Sequence, residues 1–301
     1  MTASQPTLAV IGLGAIGRPM AERIATAGLP LVVCDARPAA VAGLPQAVGV
    51  AASAAEAANR ADIVLACLPS IESHRQALLG PEGAIHGARF RIYVHTGTTG
   101  SALVNELAAA LGGRGITTLD APMTGGVPRA RAGTLTVMAS GPQAAFAAAE
   151  PFLKAYASTI VYLGERLSAA QVMKLINNML SAANLAIAAE ALVLGAKAGL
   201  DPEQMIAVLN AGTGQNSATL TKIPDHVLTR GFDYGGGMYI TEKDLGAFAE
   251  EATALAVPTP LGDAVRRVYH EAAAAGAKTD DITTVIRQFE RAAGVTLPKT
   301  R

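Results

Sequence analysis

A run of strand-forming residues, Thr7–Ile11, leads straight into Gly12-Leu13-Gly14-Ala15-Ile16-Gly17, and a helical pattern opening Arg18-Pro19-Met20 follows. In such a turn Gly12 permits the tight bend, Gly14 lets bare backbone approach a pyrophosphate, and Gly17 lets the helix pack close to the strand. The pyrophosphate itself would rest on free N–H groups at the positive end of the helix dipole. Asp35 lies 18 residues beyond Gly17, at the end of the next strand-like run, Leu31–Cys34. Its carboxylate is placed to accept the adenosine ribose hydroxyls, which favours NAD and repels the 2′-phosphate of NADP. Arg37 argues the other way, because an arginine there can pair with that phosphate. The expectation is NAD, with NADP as the alternative.

The ends of later strands should complete the crevice. One run ends Cys67-Leu68-Pro69-Ser70, and another ends His95-Thr96-Gly97-Thr98-Thr99. The hydroxyls of Thr96 and Thr98 suit the nicotinamide ribose, whereas Thr99 is as well suited to capping the helix that follows. A lone histidine at a strand end, His95, reads as a structural hydrogen-bonding residue before it reads as a catalyst.

Two further segments carry chemistry. Asp120-Ala121-Pro122-Met123-Thr124-Gly125-Gly126 ends in bare backbone N–H groups able to hold a carboxylate. Farther on, Gln171-Val172-Met173-Lys174-Leu175-Ile176-Asn177-Asn178 sets Lys174 and Asn178 on one helix face, four residues apart. A lysine on so apolar a helix is expected to be partly desolvated, with its pKa lowered towards acid–base use. The competing reading is a surface lysine snorkelling from the helix, and this segment alone leaves the two even.

The elements that must position these groups fall into two halves. Strand candidates are Thr7–Ile11, Leu31–Cys34, Ile63–Leu68, Phe90–His95, Ile116–Leu119, Leu135–Ala139 and Thr159–Leu163, with Arg18–Ala27 and Ala51–Arg60 among the helical stretches between them. Fully apolar strands alternating with helices indicate an α/β, doubly wound sheet buried on both faces. After about Gly164 the strand signal stops and a helical run from Ser168 to Gly199 begins, followed by Pro202–Ala211, Thr241–Ala254, Pro260–Ala275 and Asp280–Ala293. This predicts a nucleotide-binding domain over 1–165 and an all-helical domain over 166–301, joined by the long helix. That helix is too rich in small and apolar residues to lie exposed, so at least a dimer is expected. The 301 residues are half hydrophobic, with 24 basic and 24 acidic side chains. Balanced charge argues against nucleic acid, no uninterrupted apolar run reaches membrane-spanning length, and the N-terminus lacks a signal-peptide pattern. Cys34 and Cys67 read as small buried hydrophobes in a reducing compartment, with no metal-ligand spacing. The expectation is a cytoplasmic protein.

Taken in order, GLGAIGRPMA, the LPS at 68–70, DAPMTGG with GTLTVMASG, MKLINNML and Lys243-Asp244-Leu245-Gly246 resemble the β-hydroxyacid dehydrogenase family, a relative of 6-phosphogluconate dehydrogenase, over nearly the whole chain. The resemblance implies an N-terminal Rossmann domain joined by one long helix to a helical domain that packs on another subunit, as a homodimer or homotetramer. It implies oxidation of a small 3-hydroxy acid of the 3-hydroxyisobutyrate, glycerate or threonate kind. Lys174 would be the general acid/base, Asn178 would orient the substrate, and Thr124, Gly125 and Gly126 would hold its carboxylate or neighbouring hydroxyl. Cofactor contacts would come from Gly12, Leu13, Gly14, Ala15, Ile16, Gly17, Asp35, Leu68, Pro69 and Thr98, with Lys243 near the nicotinamide. Departures are Thr124 where the family commonly has serine, Ser168 and Ala170 where it has glycines, and His95 where aspartate is frequent. The polar stretch 212–217 favours a hydroxylated substrate. Two other readings are an imine reductase on the same scaffold, which Lys174 disfavours, and a non-catalytic NAD(P) sensor, which has no need of a proton donor.

Overall fold

The computed structural model describes residues 5–297. The chain divides into two compact units, 1–174 and 175–301. In the first, β1 (Leu8–Ile11), β2 (Leu31–Cys34), β3 (Gly49–Val50), β4 (Ile63–Ala66), β5 (Ile92–His95) and β6 (Thr117–Asp120) form one parallel sheet in the order β3-β2-β1-β4-β5-β6. Helices α1 (Gly17–Thr26), α2 (Ala54–Arg60), α3 (Ile71–Leu79) and α4 (Ser101–Gly112) lie between these strands in the chain. Along β1 the side chains divide by alternation. Leu8 and Val10 enter one core with Met20, Ile24 and Phe152, while Ala9 and Ile11 enter a second with Tyr93 and Leu107. Both faces are therefore covered, and that is why these strands read as continuous apolar runs.

The later strands are not part of that sheet. β7 (Met123–Thr124), β8 (Leu135–Ala139) and β9 (Ala157–Tyr162) form a separate three-stranded sheet, antiparallel between β7 and β8 and parallel between β8 and β9. With α5 (Gly126–Ala132) and α6 (Gln143–Tyr156) they complete the unit. At two residues each, β3 and β7 are too short to show an alternating pattern.

The long helix α7 covers Ala169–Lys197 and runs from the end of the first unit into the second. Ser168, just before it, has φ 68°, a left-handed conformation that favours glycine. Its hydroxyl donates to Asn105 Oδ1 at 3.0 Å, a bond that helps a non-glycine residue hold this turn. The second unit continues with α8 (Pro202–Ala211), a π-helix over Ala218–Leu228, α9 (Met238–Ala254), α10 (Pro260–Ala275) and α11 (Ile286–Ala293), the last preceded by a 3₁₀ turn at Ile282–Val285. Its core gathers Leu185, Leu192, Ile223, Val227, Tyr269 and Val285. The π-helix is a departure from the helices expected, since Pro224 inside it breaks any α-helical reading.

By length and mean hydropathy α7 would suffice to cross a membrane, although polar residues interrupt its apolar runs, and half of its most apolar window is buried within the protein. On its open side Leu180, Ile187 and Leu194, spaced by seven residues, are 58%, 59% and 73% exposed.

Candidate active site

Strand order reverses beside β1, which lies between β2 and β4, so the crevice of this sheet opens at the carboxyl ends of β1 and β4. Gly12 leaves β1 with φ 96°, and a Cβ there would strike the Cys67 carbonyl and the Leu68 side chain. A Cβ on Gly17 would strike the Gly12 carbonyl, so both glycines are required by close packing. Gly14 differs: an added Cβ meets nothing within 4 Å, so bare backbone there borders open space. Tight glycines on both sides of an open one, at a helix N-terminus, fit a dinucleotide pyrophosphate.

Asp35 follows β2 and reaches into this turn. Its Oδ2 accepts from Leu13 N at 2.6 Å, and its Oδ1 accepts from Arg37 N at 2.8 Å and Arg37 Nε at 3.2 Å. Burial pushes the carboxyl up, but those backbone donors and the guanidinium outweigh it and hold the group below the usual carboxylate range. The acid thus fastens the glycine turn and occupies Arg37. Beyond β4, Leu68 is half-buried and Pro69 exposed, and Ser70 starts α3 through a reciprocal bond pair with Ser73.

The β5 end corrects two readings. Thr96 donates its hydroxyl to Ala66 O at 2.7 Å, tying β5 to β4, so that proton is not free for a ribose. Thr99 does not cap α4: the N-cap is Gly100, without a side-chain bond, and Thr99 Oγ1 meets His95 Nε2 at 2.9 Å. His95 is fully buried, its Nδ1 3.0 Å from Tyr93 Oη, which also lies 3.3 Å from His74 Nδ1. Burial, then the neighbouring His74, pushes its pKa well below the ordinary value. It is a neutral structural residue. Thr98 remains half-buried at the crevice rim.

Thr124 ends β7, and Gly125 and Gly126 begin α5. Gly125 has φ 131°, and a Cβ on it would come within 2.7 Å of Arg129 Cδ, so this turn needs glycine to fold at all. Lys174 is on α7 and only 8% exposed. One turn earlier stands Gln171, fully buried, to which the sequence motif assigns no role. Its Oε1 accepts from Thr99 N at 3.0 Å and Gly100 N at 3.1 Å, and its Nε2 donates to Gly97 O and Asp120 Oδ1, both at 2.8 Å. Its own N–H donates to Asp120 Oδ2 at 2.9 Å, and Ala170 N donates to Ser140 Oγ at 2.9 Å. Asp120 and Ser140 thereby satisfy backbone donors that the first turn of α7 leaves open. The only hint in the sequence is an amide in an apolar stretch three residues before Lys174.

Burial pushes the Asp120 carboxyl up to about 7, against the lowering effect of the Gln171 side chain and backbone. A carboxyl raised on folding stabilises the fold fully below its unfolded pKa, and that contribution is lost as pH rises through about 7. The melting temperature is therefore expected to decline between about pH 4 and pH 7. Asp120→Asn, measured by calorimetry, should flatten that slope while lowering the absolute value, because its amide sets a donor against a donor.

In the second unit Asn178 Nδ2 donates to Asp244 Oδ2 at 2.6 Å, and Asn177 Nδ2 donates to Asn178 Oδ1 at 3.1 Å. Lys243 pairs with Asp244 Oδ1 at 2.7 Å. Asp244, which the sequence presents only as part of a motif, is the residue that joins Asn178 to Lys243. Among the described residues no cluster of side chains could hold a metal ion.

The chain matches known proteins over most of its length. Residues 7–164 match the NAD binding domain of 6-phosphogluconate dehydrogenase, and residues 168–289 match the NAD-binding family of NADP-dependent 3-hydroxyisobutyrate dehydrogenase. L-threonate dehydrogenase of Cupriavidus necator is 32% identical over 97% of this chain and 97% of its own. The chain belongs to the β-hydroxyacid dehydrogenase family. It is accordingly an NAD(P)-dependent hydroxyacid dehydrogenase. Within the family, 3-hydroxyisobutyrate dehydrogenase of Pseudomonas aeruginosa is 34% identical over 91% of this chain and 95% of its own. The crystal structure of 3-hydroxyisobutyrate dehydrogenase from Salmonella typhimurium superimposes with a TM-score of 0.82 at 32% identity, over 94% of this chain and 99% of that one. An imine reductase from Pseudomonas sp. reaches a TM-score of 0.61 at 19% identity, a likeness of fold alone, over 94% of this chain and 99% of that one.

Proposed function

We propose that this dehydrogenase oxidises the hydroxyl of a small 3-hydroxy acid, with Lys174 as the general acid/base. The observation that carries this is a lysine only 8% exposed, on a turn of α7 anchored by Gln171 and Asp120, with Asn178 one turn farther along the same face. When bound, NAD supplies the nicotinamide carbon that takes the hydride. Neutral Lys174 receives the hydroxyl proton, and in the reverse direction its ammonium returns it. Backbone N–H groups of Thr124, Gly125 and Gly126 receive the substrate carboxylate, and Asn178, held by Asp244, orients the hydroxyl. Gly12, Leu13, Gly14, Ala15, Ile16 and Gly17 hold the pyrophosphate, Asp35 the adenosine ribose, and Leu68, Pro69, Thr98 and Lys243 the remainder of the cofactor. The relatives named above act on L-threonate and 3-hydroxyisobutyrate. A panel of hydroxy acids including these, glycerate and serine, followed by NADH and NADPH formation, tests the reading, and an absence of oxidation across the panel defeats it.

The bonds from Arg37 to Asp35 support NAD as the preferred cofactor, because they occupy the group that would attract a 2′-phosphate. Wild type is expected to favour NAD over NADP in kcat/KM, and Asp35→Ala should narrow that ratio. A wild type that strongly prefers NADP would show that Arg37 governs the choice.

The exposed row Leu180, Ile187 and Leu194 supports assembly with a second copy, since apolar groups at seven-residue spacing form a continuous stripe on a helix. Sedimentation should give a dimer or tetramer, and the double substitution Ile187→Lys with Leu194→Lys should shift the protein towards monomer. The cytoplasm is the compartment that the reduced, unpaired cysteines favour.

A further inference from the structure

We propose that His95 is a positioning residue for the cofactor: through Thr99 it fixes the turn Gly97–Gly100, and with it the edge that this turn offers to the nicotinamide half of NAD(P). This rests on the reading above for the contact made by Thr98, though not for the fixing of the turn.

His74, Tyr93 and His95 are all fully buried. Three polar rings in one core are costly unless their nitrogens and oxygens find partners, and apolar side chains would fill the space without that cost. Here the rings link end to end. His74 Nδ1 lies 3.3 Å from Tyr93 Oη, Tyr93 Oη lies 3.0 Å from His95 Nδ1, and His95 Nε2 lies 2.9 Å from Thr99 Oγ1. A neutral imidazole has one donor and one acceptor, and a hydroxyl serves as either, so every link is satisfied when the chain runs in one direction. A buried network satisfied in this way rigidifies what it touches. The two imidazoles stand 4.4 Å apart between ring centres, and a Cβ on Gly97 would come within 2.5 Å of His74 Nε2. The rings therefore pack directly against the turn on which their chain ends.

That turn follows β5, which lies beside β4 in the sheet, so it borders the crevice. It is held at several points. Just before it, Thr96 donates its hydroxyl to Ala66 O. Gln171 accepts from Thr99 N and Gly100 N and donates to Gly97 O, which are all backbone atoms. The bond to His95 is the one that holds the Thr99 side chain. Threonine is stiff at χ1, so fixing its hydroxyl also fixes its backbone, and with it the neighbouring Thr98, half-buried at the crevice rim.

The test is a fluorescence titration of the full-length protein with NADH, at a temperature where each variant is folded. An asparagine amide can replace Nδ1 of a histidine, and the longer glutamine amide can replace Nε2. His95→Asn therefore loses the reach to Thr99, whereas His95→Gln keeps it. His95→Asn is expected to raise the Kd for NADH about three- to tenfold, the range of one hydrogen bond. His95→Gln should stay nearer to wild type, although both variants lose the ring from the core and should melt lower. Thr99→Val, which spares the buried rings, should match His95→Asn in Kd, and Thr99→Ser should restore affinity. In turnover the loss should fall on KM for NAD more than on kcat. Wild-type affinity in Thr99→Val overturns the proposal whether or not the His95 variants fold, as does wild-type affinity in a folded His95→Asn. A loss in Thr99→Val that Thr99→Ser fails to restore also overturns it, because the hydroxyl is then not what holds the turn. Thr98→Val separates the two readings. If it leaves Kd unchanged while Thr99→Val weakens binding, the Thr98 contact falls and the positioning by His95 stands. If Thr98→Val weakens binding and Thr99→Val does not, the contact stands and the positioning falls.

Discussion

Replacing Lys174 with methionine is expected to lower kcat by about 10²–10⁴-fold, the usual range for a positioned general acid or base. Methionine keeps an unbranched stem in a place that is 8% exposed, so α7 should retain its packing there. Binding of NADH, read by its fluorescence, should change little, because Lys174 is not among the residues assigned to the cofactor. In the oxidation direction the wild-type rate should fall as pH drops, since a protonated amine has no lone pair for the hydroxyl proton. The variant should lose that dependence, although its residual rate is small. A kcat near wild type would remove the assignment, and Lys243, paired with Asp244, would be tested next.

Gln171→Met should be the most damaging change to stability. It strips two donors from Asp120 and Gly97 O, and it removes the acceptor used by Thr99 N and Gly100 N. The stranded groups are a carboxyl, a carbonyl and two backbone N–H groups, and at about 1–3 kcal/mol for each one left unsatisfied a net loss of about 3–5 kcal/mol is expected. For a unit of this size that is a fall in melting temperature of roughly 6–20 °C. Because Lys174 sits one turn beyond Gln171, kcat should fall as well, even in preparations that remain folded at the assay temperature. A variant that melts within a degree or two of wild type would mean that the hydrogen bonds of Gln171 are readily replaced by water.

The groups that announce themselves in the sequence are those whose chemistry is local. The glycine turn can be read because its glycines, its strand and its helix are contiguous, and Asp35 because a strand of fixed length carries it back to the same end of the sheet. The long helix can be read from composition, and the placing of Lys174 and Asn178 on one of its faces from helical periodicity alone. What escapes depends on contacts between distant segments. Gln171 meets Gly97, Thr99, Gly100 and Asp120 only once β5, β6 and α7 converge, and nothing in a single apolar segment specifies those partners. Thr96 and Thr99 have the right hydroxyls but commit them to Ala66 O and His95. The three-stranded sheet escapes because apolar periodicity marks a strand without saying which sheet it joins. The π-helix escapes because its Pro224 and polar residues mimic a loop. Ser168 shows the opposite failure: a serine gives no sign of a left-handed φ that glycine would have announced.

Both cysteines fall within residues 1–174 and none within 175–301. Cys34 ends β2 and Cys67 follows β4, and burial pushes both thiols up, Cys67 to about 11. Only the thiolate reacts with disulfide reagents, and an unfolded cysteine ionises near pH ~8.5. A thiol-reactive chromophore should therefore label the native protein slowly and the opened nucleotide-binding unit fast, while the helical unit stays silent to it. The labelling rate then measures the opening free energy of that one unit, without separating the chain into fragments. Added NAD should slow the labelling in proportion to its occupancy of the native state, so two natural cysteines can report cofactor affinity without any assay of turnover.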